Sequence, residues 1–223
     1  MNSRIDHEGL AIGACCALTH SVSVLEDAAI LYSQKRASSS FHLAVMAREE
    51  LGRFNLLSRR HHELPNNEFL DATELARQLQ PHKVKLQAGQ SMVPVPMSPD
   101  QLAAWQAAIE RNDEAASSAI SQQIRARAAR LRPHQAAELH QHRLKAQYVD
   151  FDPQSGRWSR PSEVSKAEAS TLIRTVMAEI ANALLAAQGT VWLHAAFATL
   201  GEAKPDMGSF THRIFARLAE GDV

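Results

Sequence analysis

One stretch limits the fold of this chain more than any other: Leu43 to Leu57, Leu-Ala-Val-Met-Ala-Arg-Glu-Glu-Leu-Gly-Arg-Phe-Asn-Leu-Leu. At about 100° per residue, Leu43, Met46, Ala47, Glu50, Phe54 and Leu57 fall on one face of a helix. Phe41, Val45 and Leu56 form a second apolar sector beside Glu49. A helix that is apolar on two sides belongs in the middle of a bundle, with neighbours on both. Glu50 stands inside the first stripe, and a carboxylate there is costly to bury without a partner. The spacing predicts that Glu50 pairs with a buried cation, sits at the frayed end of the stripe, or orients a group in a cleft.

The remaining segments supply the neighbours. Residues 8 to 34 read as a long helix, with Leu10, Ala14, Ala17, Ser21, Val24, Ala28 and Leu31 at helical spacing. Ser38, Ser39 and Ser40 are N-cap candidates for the second helix, which runs to about His62 before Pro65. A third helical segment spans about 67 to 92. Pro81 must break or kink it, because proline lacks the amide and clashes with the preceding turn, so His82 and Lys83 begin a new turn. Pro94, Pro96 and Pro99 make a stiff connector. Residues 98 to 145 are rich in Ala and Gln and read as two helices, broken near Asn112 and Asp113. Arg125, Arg127, Arg130 and Arg132 point to several sides there, as on a solvated face. Residues 148 to 164 have loop composition, and a long helix follows from Ser165 with a stripe of Ile173, Val176, Ile180, Leu184, Ala187 and Val191. A short tail helix ends near Ala219. No β pattern of any length appears, so the class is all-α. The expected organisation is a single domain over 1–223, with a core at about 8–146, a loop at 147–164 and C-terminal helices at 165–220.

Composition excludes more than it selects. Basic and acidic residues balance at 24 each, so net charge announces no nucleic-acid partner. Most of the basic residues are arginine, which favours bidentate anion contacts where they cluster. The two cysteines, Cys15 and Cys16, are adjacent and point apart on a helix, a poor disulfide pair; the chain reads as cytoplasmic and reduced. No Cys-x-x-Cys or His-Glu-x-x-His pattern is present, and Asp150 with Asp152 has no third ligand at hand, so neither a metal nor a cofactor is expected. The N-terminus shows no signal pattern, and no run of about 18 apolar residues suggests a membrane span.

Three segments carry a family resemblance. Arg48-Glu-Glu-Leu-Gly-Arg53 follows a run of small and apolar residues. His82-Lys-Val-Lys-Leu86 begins a helix. Tyr148-Val-Asp-Phe-Asp-Pro-Gln-Ser-Gly-Arg-Trp-Ser-Arg-Pro161 holds a Tyr-Val-Asp followed by a Gly, a Trp and a Pro. In this order they resemble the AbiV family of abortive-infection proteins, within the HEPN group of helical domains, over roughly residues 10 to 185. The resemblance implies a HEPN-like antiparallel helical bundle with extra C-terminal helices. It further implies antiphage defence by abortive infection, with translation arrested on contact with a phage protein, and a homodimer.

Many HEPN proteins are metal-independent endoribonucleases marked by an Arg, four to six residues, then a His. The chemistry is sound: an imidazole moves the proton of a ribose 2′-OH or of the leaving oxygen, and a guanidinium holds the phosphate. Three such pairs occur here: Arg36 with His42, Arg77 with His82, and Arg127 with His134. Chance supplies about as many in a chain this rich in both residues, so only position can choose. Arg77 and His82 fall on the family-like segment. The expected site is therefore Arg77 and His82, with Lys83 and Lys85 as RNA phosphate contacts and Glu49 or Glu50 orienting His82. Tyr148 and Asp150 mark the family segment. Gln78 after Arg77 departs from the polar residues (Asn, Asp or His) frequent in that family position. This favours the alternative, a non-catalytic module that binds a phage or host protein and blocks translation. No nucleotidyltransferase motif is present.

Overall fold

The structure is a computed structural model. It describes residues 4–90, 135–144 and 164–222, with isolated positions between 104 and 123, residue 146, and residues 150–152 and 156–159. Helix α1 spans His7–Ser33 and starts where the Asp6 carboxylate accepts from the Gly9 amide at 2.8 Å. Helix α2, Ala37–Glu63, returns along it after a turn in which Lys35 takes φ 63°. Small residues on the facing stripes (Ala14, Ala17, Ser21 and Ala28 against Ser40, Ala44 and Ala47) are all buried and let the two backbones approach. The Ser40 hydroxyl donates to the Ala28 carbonyl at 2.8 Å across that contact.

The break at Pro81 is present. Helix α3, Ala72–Leu79, ends before it, and α4, His82–Gly89, begins directly after. Helix α5, Lys166–Gln188, opens on a full capping box between Ser165 and Glu168. The apolar stripe read through Val191 does not continue as one helix. The chain turns at Gly189 and Thr190, α6 runs Val191–Leu200, and Val191 itself is 82% exposed. Helix α7, Met207–Asp222, closes the bundle against α1 and α5. Helix α2 is covered by α1 on one side and by α4 and α5 on the other, the central place its two apolar sectors require. The class is all-α.

Two short ladders escaped the sequence pattern. Strand β1, Arg4–Ile5, pairs antiparallel with β2, Leu70–Asp71, and β3, Asp150–Asp152, pairs with β4, Arg157–Ser159, around Gly156 at φ 67°. Strands of two or three residues are too short for an alternation to register. Helices α1 and α5 have the length and hydropathy of membrane-crossing helices, yet both spend apolar residues such as Leu18, Leu25, Ile173 and Ile180 on the bundle core. Cys15 and Cys16 are free thiols, and burial pushes that of Cys15 up to about 12. The last turn of α2 is tied to α6 by His61 stacked on Trp192, with ring centroids 4.1 Å apart.

The phase of α2 differs from the expectation for Glu50. The deepest charged residues of α2 are Arg48 and Glu49, at 6% and 4% exposure, while Glu50 is half-buried and pairs with Arg53 one turn on at 2.9 Å. Phe41 and Val45 are buried while Leu43 and Met46 pack at the edge of the core, and Arg48 and Glu49 go in with the first pair. Glu50 is therefore neither the buried partner of an interhelical cation nor in contact with His82.

Candidate functional site

The site is built where α4 crosses α2. At the crossing the two backbones touch through glycine. A β-carbon on Gly52 would overlap the Lys85 carbonyl oxygen, and one on Gly89 would overlap that of Arg48. The Asn55 side-chain amide donates to the Ala88 carbonyl at 2.8 Å and fixes the register. This close approach brings the first turn of α4 over Glu49. His82 Nδ1 lies 2.7 Å from Glu49 Oε2, and Lys85 Nζ lies 3.9 Å from the same oxygen. The His82 side chain is 46% exposed, so its ring bridges the buried carboxylate and solvent.

The helical stretch 135–144 completes the cluster with residues the sequence reading did not select. Arg143 Nε stands 3.7 Å from Glu49 Oε1, too far for a hydrogen bond. His140 lies nearly parallel to His82, with ring centroids 5.7 Å apart and planes at 21°. His42, on α2, is held below the usual histidine range by burial and then by the Arg143 charge, against the opposing pull of Glu49. The same three influences, with His82 and Lys83 adding to the downward push, lower His140. Both imidazoles are thereby kept neutral beside a guanidinium. Among the described residues, Glu49 Oε1, Arg143 Nε, His42 Nδ1 and His140 Nδ1 are buried atoms with no hydrogen-bond partner. Buried polar atoms are rarely left this way, and these four have bonding capacity that a ligand or a water can complete. One carboxylate faces two permanent cations there, so the site retains positive charge and suits an anion.

The expected site residues divide. Glu49 and His82 come together. Lys83 is exposed on the same turn as His82. Lys85 corrects its expectation as a phosphate contact: its side chain is 7% exposed and neutralises Glu49. Arg77 is not brought to His82. Its Nε and Nη2 fork onto Glu74 at 2.8 and 2.7 Å, holding that carboxyl down to about 2, and the side chain lines a separate cavity with Arg59, Arg60, Gln78 and Val84. Arg36 stands at the N-cap position of α2 without a side-chain cap hydrogen bond, and Arg127, His134 and Tyr148 lie outside the described residues. Asp150 is described only as a strand residue opposite Ser159. The signal that could have found the missing members is the run His140-Gln-His-Arg143, which ends just before the Tyr148 segment.

The crossing glycine, the buried glutamate beneath it and the histidine that starts α4 are the residues of the Glu-Glu-Leu-Gly and His-Lys-x-Lys segments. The AbiV family model of the HEPN group matches residues 10–182. The chain belongs to the AbiV family. No curated protein and no solved structure matches it. Membership associates the chain with abortive-infection defence. Within the AbiV match, all six members of the cluster, His42, Glu49, His82, Lys85, His140 and Arg143, fall inside the matched residues.

Proposed function

We propose that this AbiV-family chain is an antiphage effector that acts on RNA as an endoribonuclease and thereby arrests translation in an infected cell. The observation that carries the reading is the 2.7 Å contact between His82 Nδ1 and the buried Glu49 carboxylate. That contact fixes the ring and leaves Nε2 as the nitrogen available for proton transfer, the arrangement by which carboxylates orient catalytic imidazoles. Arg143 beside it offers a guanidinium for a phosphate, and exposed Lys83 a further point charge. A ribose 2′-hydroxyl is the nucleophile such a site can activate, which makes RNA rather than DNA the substrate.

One observation favours a second reading. The Arg77 of the family-like Arg–His spacing is tied to Glu74 and does not join the cluster. A chain whose Arg–His pair stays apart fits an interaction module that binds a phage or host protein without cutting anything.

The His82→Ala variant separates the two. Under the ribonuclease reading, cleavage of RNA by the purified protein falls by about a hundred- to ten-thousand-fold, and phage protection is lost with it. The melting temperature stays close to that of the parent, because the ring is half-exposed. Cleavage by the parent persists in a chelator. Retained protection with RNA left intact by both forms would end the ribonuclease reading.

A further inference from the structure

We propose that His140 is a second proton-transfer residue, so that one protomer carries both the general base and the general acid for breaking an RNA phosphodiester. The inference rests on the ribonuclease reading and adds to it a residue and a division of labour. Its ground is geometric. His140 and His82 come from different segments, 135–144 and α4, yet lie nearly parallel with centroids 5.7 Å apart over the same carboxylate. His140 Nδ1 is buried with no hydrogen-bond partner among the described residues, so nothing in the bundle uses its bonding capacity. Arg143, three residues on, brings its Nε to 3.7 Å from Oε1 of the same Glu49 and so adds a cation for a phosphate beside the rings.

In-line displacement at phosphorus puts the attacking and leaving oxygens on opposite sides, and two separated imidazoles can serve one each. The groups facing His140 decide which does what. They are Arg143 on its own segment, Glu49 on α2, and His82 and Lys83 on α4; burial and the cations keep His140 neutral against the pull of Glu49. His140 is thus the base and takes the 2′-OH proton. The 2′-oxygen forms its bond to phosphorus, the bond from phosphorus to the 5′-oxygen breaks, and His82 gives that oxygen the proton of its outward nitrogen. Glu49 holds the inward one. The products are a 2′,3′-cyclic phosphate and a 5′-hydroxyl, and no water or oxidant is consumed.

The test is the pH–rate profile of RNA cleavage by the full-length protein. In the parent the rate should rise with pH as His140 loses its proton, below the ordinary value of 6.5. His140→Asn should lower kcat about a hundred-fold or more and abolish the rise on the acid side. A variant with unchanged rate, or a slower one that keeps the acid-side rise, overturns the proposal by making His140 a structural residue only. Co-expression of His82→Ala with His140→Asn protomers checks that both rings act within one chain. Mixed assemblies should be inactive, and recovery toward half of the parent rate would place the two rings in different protomers and overturn it. A parent protein that leaves RNA intact would instead remove the ribonuclease reading itself.

Discussion

Glu179→Ala should destabilise the fold by about 3–5 kcal/mol, the usual result of removing one partner of a buried ion pair. The Arg48 guanidinium forks onto this carboxylate, Nε at 2.7 Å and Nη2 at 2.6 Å, with side-chain exposures of 8% and 0%. The pair joins the middle of α2 to the middle of α5. Without Glu179 the guanidinium, on a residue only 6% exposed, loses the carboxylate that compensates its charge. The pair itself contributes far less than this loss suggests, since burying both charges is costly. Arg48→Met combined with Glu179→Leu should therefore recover most of the stability. Urea denaturation of the two variants checks both statements, and a single variant within 1 kcal/mol of the parent would refute the buried pair.

Gly52→Ala should cost the fold less, up to about 2 kcal/mol, and should damage the site more than the fold. Alanine is the better helix former by about 1 kcal/mol, which alone would stabilise α2. The new methyl meets backbone, however: the Lys85 carbonyl oxygen inside contact distance, its carbon at 2.6 Å and the Gly89 amide at 3.0 Å. No side chain can rotate away, so α4 must move as a unit. Overpacking of this kind costs about 1–3 kcal/mol and here outweighs the propensity gain. The same movement lifts His82 and Lys85 off Glu49. The expected outcome is a lowered melting temperature together with loss of the downfield proton resonance of a carboxylate-bonded His82 ring. A variant that melts higher than the parent would show that α2 and α4 do not touch here.

These two positions also show what the sequence made legible. The long helices could be read because each buries a face, and a buried face repeats at helical spacing; Leu10 to Tyr32 and Ile173 to Leu184 are clear cases. Pro81 marked the start of α4 because its effect is local. The break between α5 and α6 was hidden, since the apolar stripe runs on through Val191 although that residue is exposed. Glu49 and Glu50 lie in adjacent sectors of one helix, and periodicity cannot say which sector meets α4. Gly52 decides that, because its side of α2 admits the backbone of α4. The Arg48–Glu179 pair and the approach of Arg143 to Glu49 join residues far apart in the chain, and no local pattern encodes such a match. The fate of Arg77 was readable: Glu74 stands three residues before it, a spacing at which a helix pairs opposite charges.

The central claim is that the chemistry belongs to the cluster around Glu49 and not to the Arg77–His82 spacing. Cleavage of RNA and phage protection, measured for Arg143→Ala beside Arg77→Ala with thermal melts of both, test it most directly. The account predicts a loss of about a hundred- to a thousand-fold in cleavage for Arg143→Ala, the effect of removing one preorganised charge-stabilising donor, and with it the loss of protection. Arg143→Lys should restore part of both by returning the charge without the fork. Arg77→Ala should cleave and protect like the parent, because its guanidinium is exposed and spent on Glu74. Loss of activity in Arg77→Ala with a fully active Arg143→Ala would contradict the account.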